Sequence, residues 1–189
     1  TADDANGATT LTITVADVND ITPVYQAADA DDAISVNENV GTGSIDAGTI
    51  TDTDTVGTYS CTLGGADAAD FACTISGSTV NVAFAADPDY DNPADADENN
   101  IYVVTVLIDD GTADDANGAT TLTITVADLN DQTPVYQAAD ADDAITVNEN
   151  VGTGSIDAGT ITDTDTIGTL GCTLGGADAA DFACTISGS

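Results

Sequence analysis

The sequence of 189 residues carries 34 acidic side chains and no Lys, Arg or His, a formal net charge of −34. It can form no internal salt bridge, and it lacks the cations that neutralise phosphate in nucleic acids and anionic headgroups, so its natural partners are cations. High acidity with few aromatics usually means disorder, but here a 42% hydrophobic fraction falls in alternating runs, which predicts folded domains with charge in loops and on outer faces.

One long repeat organises the chain. Thr1 through Ser78 recur as Thr112 through Ser189, a spacing of 111 residues, and only six positions change: Val18 to Leu129, Ile21 to Gln132, Ser35 to Thr146, Val56 to Ile167, Tyr59 to Leu170 and Ser60 to Gly171. A unit of that length is a domain with its own core rather than a solenoid turn. The expected division is residues 1–21 as the last strand and linker of a preceding repeat, 22–131 as a complete repeat, and 132–189 as the first part of the next. The sequence therefore reads as an interior excerpt of a longer array.

Within the complete repeat, short runs of alternating β-branched and polar residues predict strands at Ala33 to Val36, Ser44 to Thr51, Thr58 to Leu63, Phe71 to Ser76, Thr79 to Phe84, Ile101 to Ile108 and Thr120 to Ala127. Seven short strands in about 100 residues predict an all-β sandwich. In the last of them Leu122, Ile124 and Val126 share one face and Thr121, Thr123 and Thr125 the other, a buried side and a wet side. The Ala-rich stretch Gly64 to Asp70 predicts a single helical turn.

Cys61 and Cys73 recur as Cys172 and Cys184, which points to one disulfide per repeat and an oxidising, extracellular compartment. Thiolate metal binding is the runner-up, but it would want C-x-x-C spacing or His partners, and neither occurs. No apolar run approaches the roughly 20 residues that span a bilayer, and no signal peptide opens the sequence.

The acidic motifs carry the chemistry. Asp128-Leu129-Asn130-Asp131-Gln132-Thr133-Pro134, and its copy from Asp17, join the end of one repeat to the start of the next. Upstream stand Val36-Asn37-Glu38-Asn39, Asp52-Thr53-Asp54, Asp89-Tyr90-Asp91-Asn92-Pro93 and Asp109-Asp110-Gly111. In order and over a whole period these resemble the motifs of cadherin-like repeat domains, especially those of bacterial-type surface or extracellular proteins. Departures are Asp91 for the usual Glu, Ile21 and Gln132 where many members have Asn, and a cysteine pair that most members lack.

The resemblance implies tandem seven-stranded Greek-key β-sandwiches, cadherin-like or Ig-like, joined by calcium-binding linkers. At the complete junction it assigns Glu38, Asp89, Asp91, Asp128, Asn130, Asp131, Asp163 and Asp165 as metal ligands. At the preceding one it assigns Asp17, Asn19, Asp20, Asp52, Asp54 and Asp110, and Glu149 repeats the Glu38 position for a following junction. Independently, Ca²⁺ is a hard cation taking six to eight oxygens, and carboxylates, Asn and carbonyls are what this chain offers. Asp29, Asp31, Asp32, Asp95 and Asp97 read as solvated surface.

No His or Lys is present to serve a nucleophilic triad, zinc hydrolysis or a Schiff base, so the sequence reads as non-enzymatic. It reads as a calcium-rigidified, repetitive extracellular filament or adhesin segment whose partners are calcium and further copies of the same repeat, with no nucleic acid and no membrane span. The alternative, a carbohydrate- or ice-binding module of a surface adhesin, draws on the Thr ladders at Thr121 to Thr125 and Thr49 to Thr53. Near-identical copies favour the filament.

Overall fold

The computed structural model describes residues 10–29, 32–111, 119–139 and 144–187. Eight strands build one sandwich: β1 (Val24–Gln26), β2 (Ala33–Asn37), β3 (Ser44–Thr51), β4 (Ser60–Gly64), β5 (Phe71–Ser76), β6 (Thr79–Phe84), β7 (Ile101–Asp109) and β8 (Thr120–Ala127). All seven expected strands form, within one or two residues at the ends. β1 is additional, and a three-residue strand is too short to show a period.

The strands split into two four-stranded sheets, ordered β1-β3-β6-β5 and β2-β8-β7-β4. Every pairing is antiparallel except β2 with β8, which run parallel with Ala33 opposite Thr123 and Asn37 opposite Ala127. The chain thus begins the repeat at the edge of one sheet and crosses at once to the other. Its first and last long strands lie side by side, which brings the incoming turn at Glu38 next to the outgoing linker.

Alternation decides the core. Val80, Val82 and Phe84 of β6 face Tyr102, Val104, Val106 and Ile108 of β7 and Leu122, Ile124 and Val126 of β8, each at most 3% exposed. Phe71, Phe84 and Tyr102 meet in one aromatic cluster, with Tyr102 edge-on to both rings at 5.7 and 5.3 Å. The Ala-rich stretch closes as a single 3-10 turn at Ala68–Asp70. The disulfides Cys61–Cys73 and Cys172–Cys184 are both formed. Cys61 lies on β4 and Cys73 on β5, the edge strands of opposite sheets, so the bond closes one open side of the sandwich.

The charge is not on the outer faces. Among the residues of β1 to β8 only Asp46 and Asp109 are acidic, and Asp46 is buried at 3% exposure. Asp46 accepts hydrogen bonds from the Tyr25 hydroxyl and from the Ala28 N–H. Gly48 permits this, since a Cβ there would collide with the Tyr25 ring and the Gln26 carbonyl. The same Tyr-on-Gly packing recurs at Tyr136, Gly159 and Asp157.

Beyond the linker, β9 (Val135–Gln137) pairs with β10 (Thr160–Thr162) as β1 pairs with β3, and a second 3-10 turn forms at Ala179–Asp181. Among the described residues no counterparts of β6, β7 and β8 cover this pair, and Val135 and Tyr136 stay more than half exposed. Leu11, Ile13 and Val15, the copies of buried Leu122, Ile124 and Val126, are likewise exposed, and residues 10–20 form no strand. A β8-type strand needs a β2 and a β7 beside it. Among the described residues no helix is long and apolar enough to cross a membrane.

Candidate metal centre

Three groups of acidic oxygens converge at the ends of the sandwich. Glu38, Asp91 and Asp131 each place one carboxylate oxygen within 4.8 Å of the others, as do Asp91, Asp128 and Asp165, and likewise Asp52, Asp54 and Asp110. Asp91 belongs to two groups. The 85–100 segment carries it from β6 across to the β2 end, where Glu38 and the linker lie.

Glu38 anchors the complete junction. It is 2% exposed, and its N–H donates to the Ala127 carbonyl at 3.0 Å, extending the β2–β8 ladder by one bond. Its Oε2 accepts from the Tyr90 N–H at 2.9 Å and its Oε1 from the Leu129 N–H at 2.7 Å. One carboxylate thus ties the start of the repeat, the Asp89 to Asp91 turn and the linker. Glu reaches both donors from the end of β2, which explains why a long acid recurs here in an Asp-rich chain.

The linker is fastened to the following copy by the same kind of bond. Asp128 accepts from the Thr166 N–H and hydroxyl, and the Gln132 N–H donates to Asp165 Oδ2 at 2.9 Å. At the preceding linker Asp17 Oδ2 accepts from the Thr55 N–H at 2.7 Å and hydroxyl at 2.6 Å. Asp54 Oδ2 takes the Asp20 and Ile21 N–H groups at 2.8 and 2.7 Å, and Asn19 Nδ2 donates to the Asp110 carbonyl at 3.2 Å. In both copies a left-handed glycine seats the linker Asn: a Cβ on Gly57 or Gly168, at φ +119° and +111°, would come within 3.0 Å of Asn19 Oδ1 or 2.9 Å of Asn130 Oδ1.

What these bonds leave over is informative. Both oxygens of Asp91, and Oδ1 of Asp128, Asp163, Asp165 and Asn19, are buried without a hydrogen-bond partner in the protein. Buried polar atoms are normally paired, and five such orphans at the complete junction, with Asn19 Oδ1 at the preceding one, mark places built for something that accepts oxygen lone pairs. The donor set is oxygen throughout, which suits a hard divalent cation and fits Ca²⁺. Burial, followed by the negative charges of Asp165, Glu38, Asp128 and Asp131, holds the Asp91 carboxyl above its usual range. Bonds from Thr55 hold Asp17 below it.

Not every expected ligand joins a group. Asp89 is exposed, and its Oδ1 accepts from the Asn92 N–H at 3.1 Å. Asn130, Asp20 and Glu149 are exposed, and Asp17 and Asp163 belong to none of the three groups. Asp31 lies outside the described residues. Asp95 is not solvated surface: it is 3% exposed and accepts from the Asn99 and Asn100 N–H groups at 2.8 and 3.1 Å. Asp67, 4% exposed, does the same for Ala96 and Val103 at 2.8 and 2.7 Å. With so many Asp in the chain, nothing in the sequence distinguished these two loop anchors.

A split first strand, a parallel β2–β8 closure and acids gathered at the ends define a cadherin-like Greek-key β-sandwich. The fold matches solved cadherin extracellular domains. A protocadherin gammaB7 EC3-6 cis-dimer structure aligns with TM-score 0.60 and 24% identity over 80% of this chain and 35% of that one. Human CDH23 EC21-23 aligns with TM-score 0.56 and 22% identity over 80% of this chain and 46% of that one. Protocadherin gamma B2 cadherin domains 3-6 give TM-score 0.58 and 19% identity over 79% and 34%. The chain therefore spans less than half the length of each. No protein-family model matches the sequence, and no curated protein matches it.

Proposed function

We propose that the chain is a segment of an extracellular structural or adhesive array whose repeats are locked end to end by calcium. The ligands at the complete junction are Glu38, Asp91, Asp128, Asp131, Asp163 and Asp165, with Asp89 and Asn130 at the rim. Asp52, Asp54, Asp110, Asp17, Asn19 and Asp20 serve the preceding junction. Glu149 stands ready for a following one.

The observation that carries this reading is Asp91. It is common to two oxygen groups, both of its oxygens are buried without a protein partner, and burial, followed by four further carboxylates, raises its proton affinity. Bound calcium would supply the positive charge that this chain entirely lacks. The residues do the rest: Glu38 holds the linker to the domain it leaves, and Asp128 and Asp165 hold it to the copy it enters. No single repeat closes the ligand shell, so filling it fixes the angle between repeats. The disulfides and the near-identical copies accord with an extracellular spacer whose partners are further copies of itself.

Calcium titration of the whole chain by calorimetry, paired with small-angle scattering, tests the proposal. Saturable binding is expected, with Kd on the order of 10⁻⁴ to 10⁻³ M typical of extracellular modules, together with a more extended shape in calcium than in chelator. Asp91→Asn should weaken binding at least about tenfold, because two oxygen groups lose a charge. A chain whose shape and heat ignore millimolar calcium would overturn the reading.

A further inference from the structure

Asn39 and Gln132 meet at Asp131. Asn39 follows Glu38 in the turn after β2, with its backbone in the left-handed region at φ +59° and its N–H donating to the Pro88 carbonyl at 3.0 Å. Its side-chain amide donates to Asp131 Oδ2 at 2.7 Å. From the other side the Gln132 amide donates to Asp131 Oδ1 at 2.9 Å, while its backbone N–H holds Asp165 at 2.9 Å. Asp131 is thus gripped at both oxygens by neutral amides, whereas Asp91, Asp128 and Asp165 each keep a bare buried oxygen.

We propose that Asn39 and Gln132 are the positioning residues of the junction, holding Asp131 turned towards Glu38 and Asp91 and holding the linker in place before any ion arrives. This rests on the calcium reading above. In a chain with no cationic side chain, amide N–H groups are among the few donors able to approach a carboxylate and offset the repulsion of its neighbours. A carboxylate oxygen has two lone-pair sites, so an amide on one leaves the other for a ligand bond. Fixing the Asp131 rotamer beforehand removes an ordering step from binding, and outer partners of metal ligands commonly account for 10- to 100-fold in affinity.

The grip differs between linkers. Gln132 stands where the preceding linker has Ile21, and the Ile21 side chain has no donor to offer Asp20. The position therefore sets how firmly each linker presents its last acid, and two otherwise similar junctions bind cations with unequal strength.

The test uses the full chain, Asn39→Gly and Gln132→Ile. Glycine keeps the left-handed backbone of position 39 while deleting the amide, and isoleucine is already accepted at the equivalent position 21. Calcium titration should show each variant binding about 10-fold or more weakly than the parent, with the β-sheet circular dichroism signal in chelator unchanged. In chelator, backbone amides of 129–132 should exchange faster in both variants. A parent that binds calcium, with variants that match it in affinity and in linker exchange, overturns the assignment of Asn39 and Gln132 alone. A parent that binds no calcium overturns the calcium reading and this inference with it.

Discussion

Glu38 Oε1 accepts the Leu129 N–H at 2.7 Å across 91 residues of sequence, so the turn that opens the repeat is bonded to the linker that closes it. The second oxygen takes the Tyr90 N–H at 2.9 Å. Glu38→Gln keeps the shape but turns one acceptor into a donor facing an N–H. A hydrogen bond to a charged group contributes roughly 1.5–3 kcal/mol, and an unmet buried donor is costly. The variant should lose about 2 kcal/mol of unfolding free energy in urea even in chelator; equal stability would mean the tie is ornamental.

The sandwich was readable because its strands are short, β-branched and strictly alternating, as in Leu122, Ile124 and Val126. The linker motif stands out because Asp128-x-Asn130-Asp131 repeats with fixed neighbours. Three things were hidden. β1 rests on one buried residue, Tyr25, which leaves no period to detect. The split between sheets depends on the parallel β2–β8 pairing, a long-range contact with no local signature. Asp46, Asp67 and Asp95 look like every other Asp in a chain full of them, and only the fold decides which go inside and collect backbone N–H groups.

The Cys61–Cys73 bond joins the edge strands β4 and β5 of opposite sheets across a separation of 12 residues. Closing so short a loop removes unfolded-state freedom equivalent to about 3 kcal/mol in the chain-entropy model. Reduction, or Cys61→Ala with Cys73→Ala, should lower the urea midpoint accordingly while leaving the β-sheet circular dichroism signal intact at low urea. An unchanged midpoint after complete reduction would show that β4 and β5 need no staple.

Acid should loosen the 85–100 segment. Burial pushes the Asp95 carboxyl up, but the Asn99 and Asn100 N–H groups and the Asp97 side chain outweigh it, and the net value is lowered. A folded-state pKa below the unfolded one gives stability that is present above the ordinary carboxylate value and is lost as pH falls through the folded value. Asp70 and Asp97 work the other way: burial and then the charges of Asp67 and Asp95 raise Asp70, and the bond to Asp95 and then burial raise Asp97. Their protonation therefore partly compensates. Urea midpoints measured from pH 7 down to about pH 3 should fall more steeply in the parent than in Asp95→Asn, which starts less stable. Parallel curves would remove Asp95 from the acid response.

Lateral association should be switched by salt, because charge and strands are segregated. The outer face of the β2-β8-β7-β4 sheet presents Ser35, Thr125 and Ile101 in one row and Ala33, Thr123 and Val103 in the next, with Ile101 and Val103 41% and 40% exposed. Thr121 lies opposite Thr105, and Leu107 opposite Thr62. On the strands of this sheet only Asp109, at one end, is charged, and most of the described acids lie in loops. Such a face is where two copies would meet with least charge repulsion, and at about 10 mM salt a screening length of roughly 30 Å lets the loop charges keep them apart. At about 1 M it shrinks to roughly 3 Å and the faces can meet. Four strands about 4.8 Å apart make a small contact, weak for one repeat and additive along an array. Light scattering in calcium should therefore report single chains at low salt and growing mass at high salt, and Thr123→Asp should suppress that growth by placing a charge in the middle of the face. Scattering indifferent to salt, or a Thr123→Asp chain that associates like the parent, would show that copies meet through some other surface.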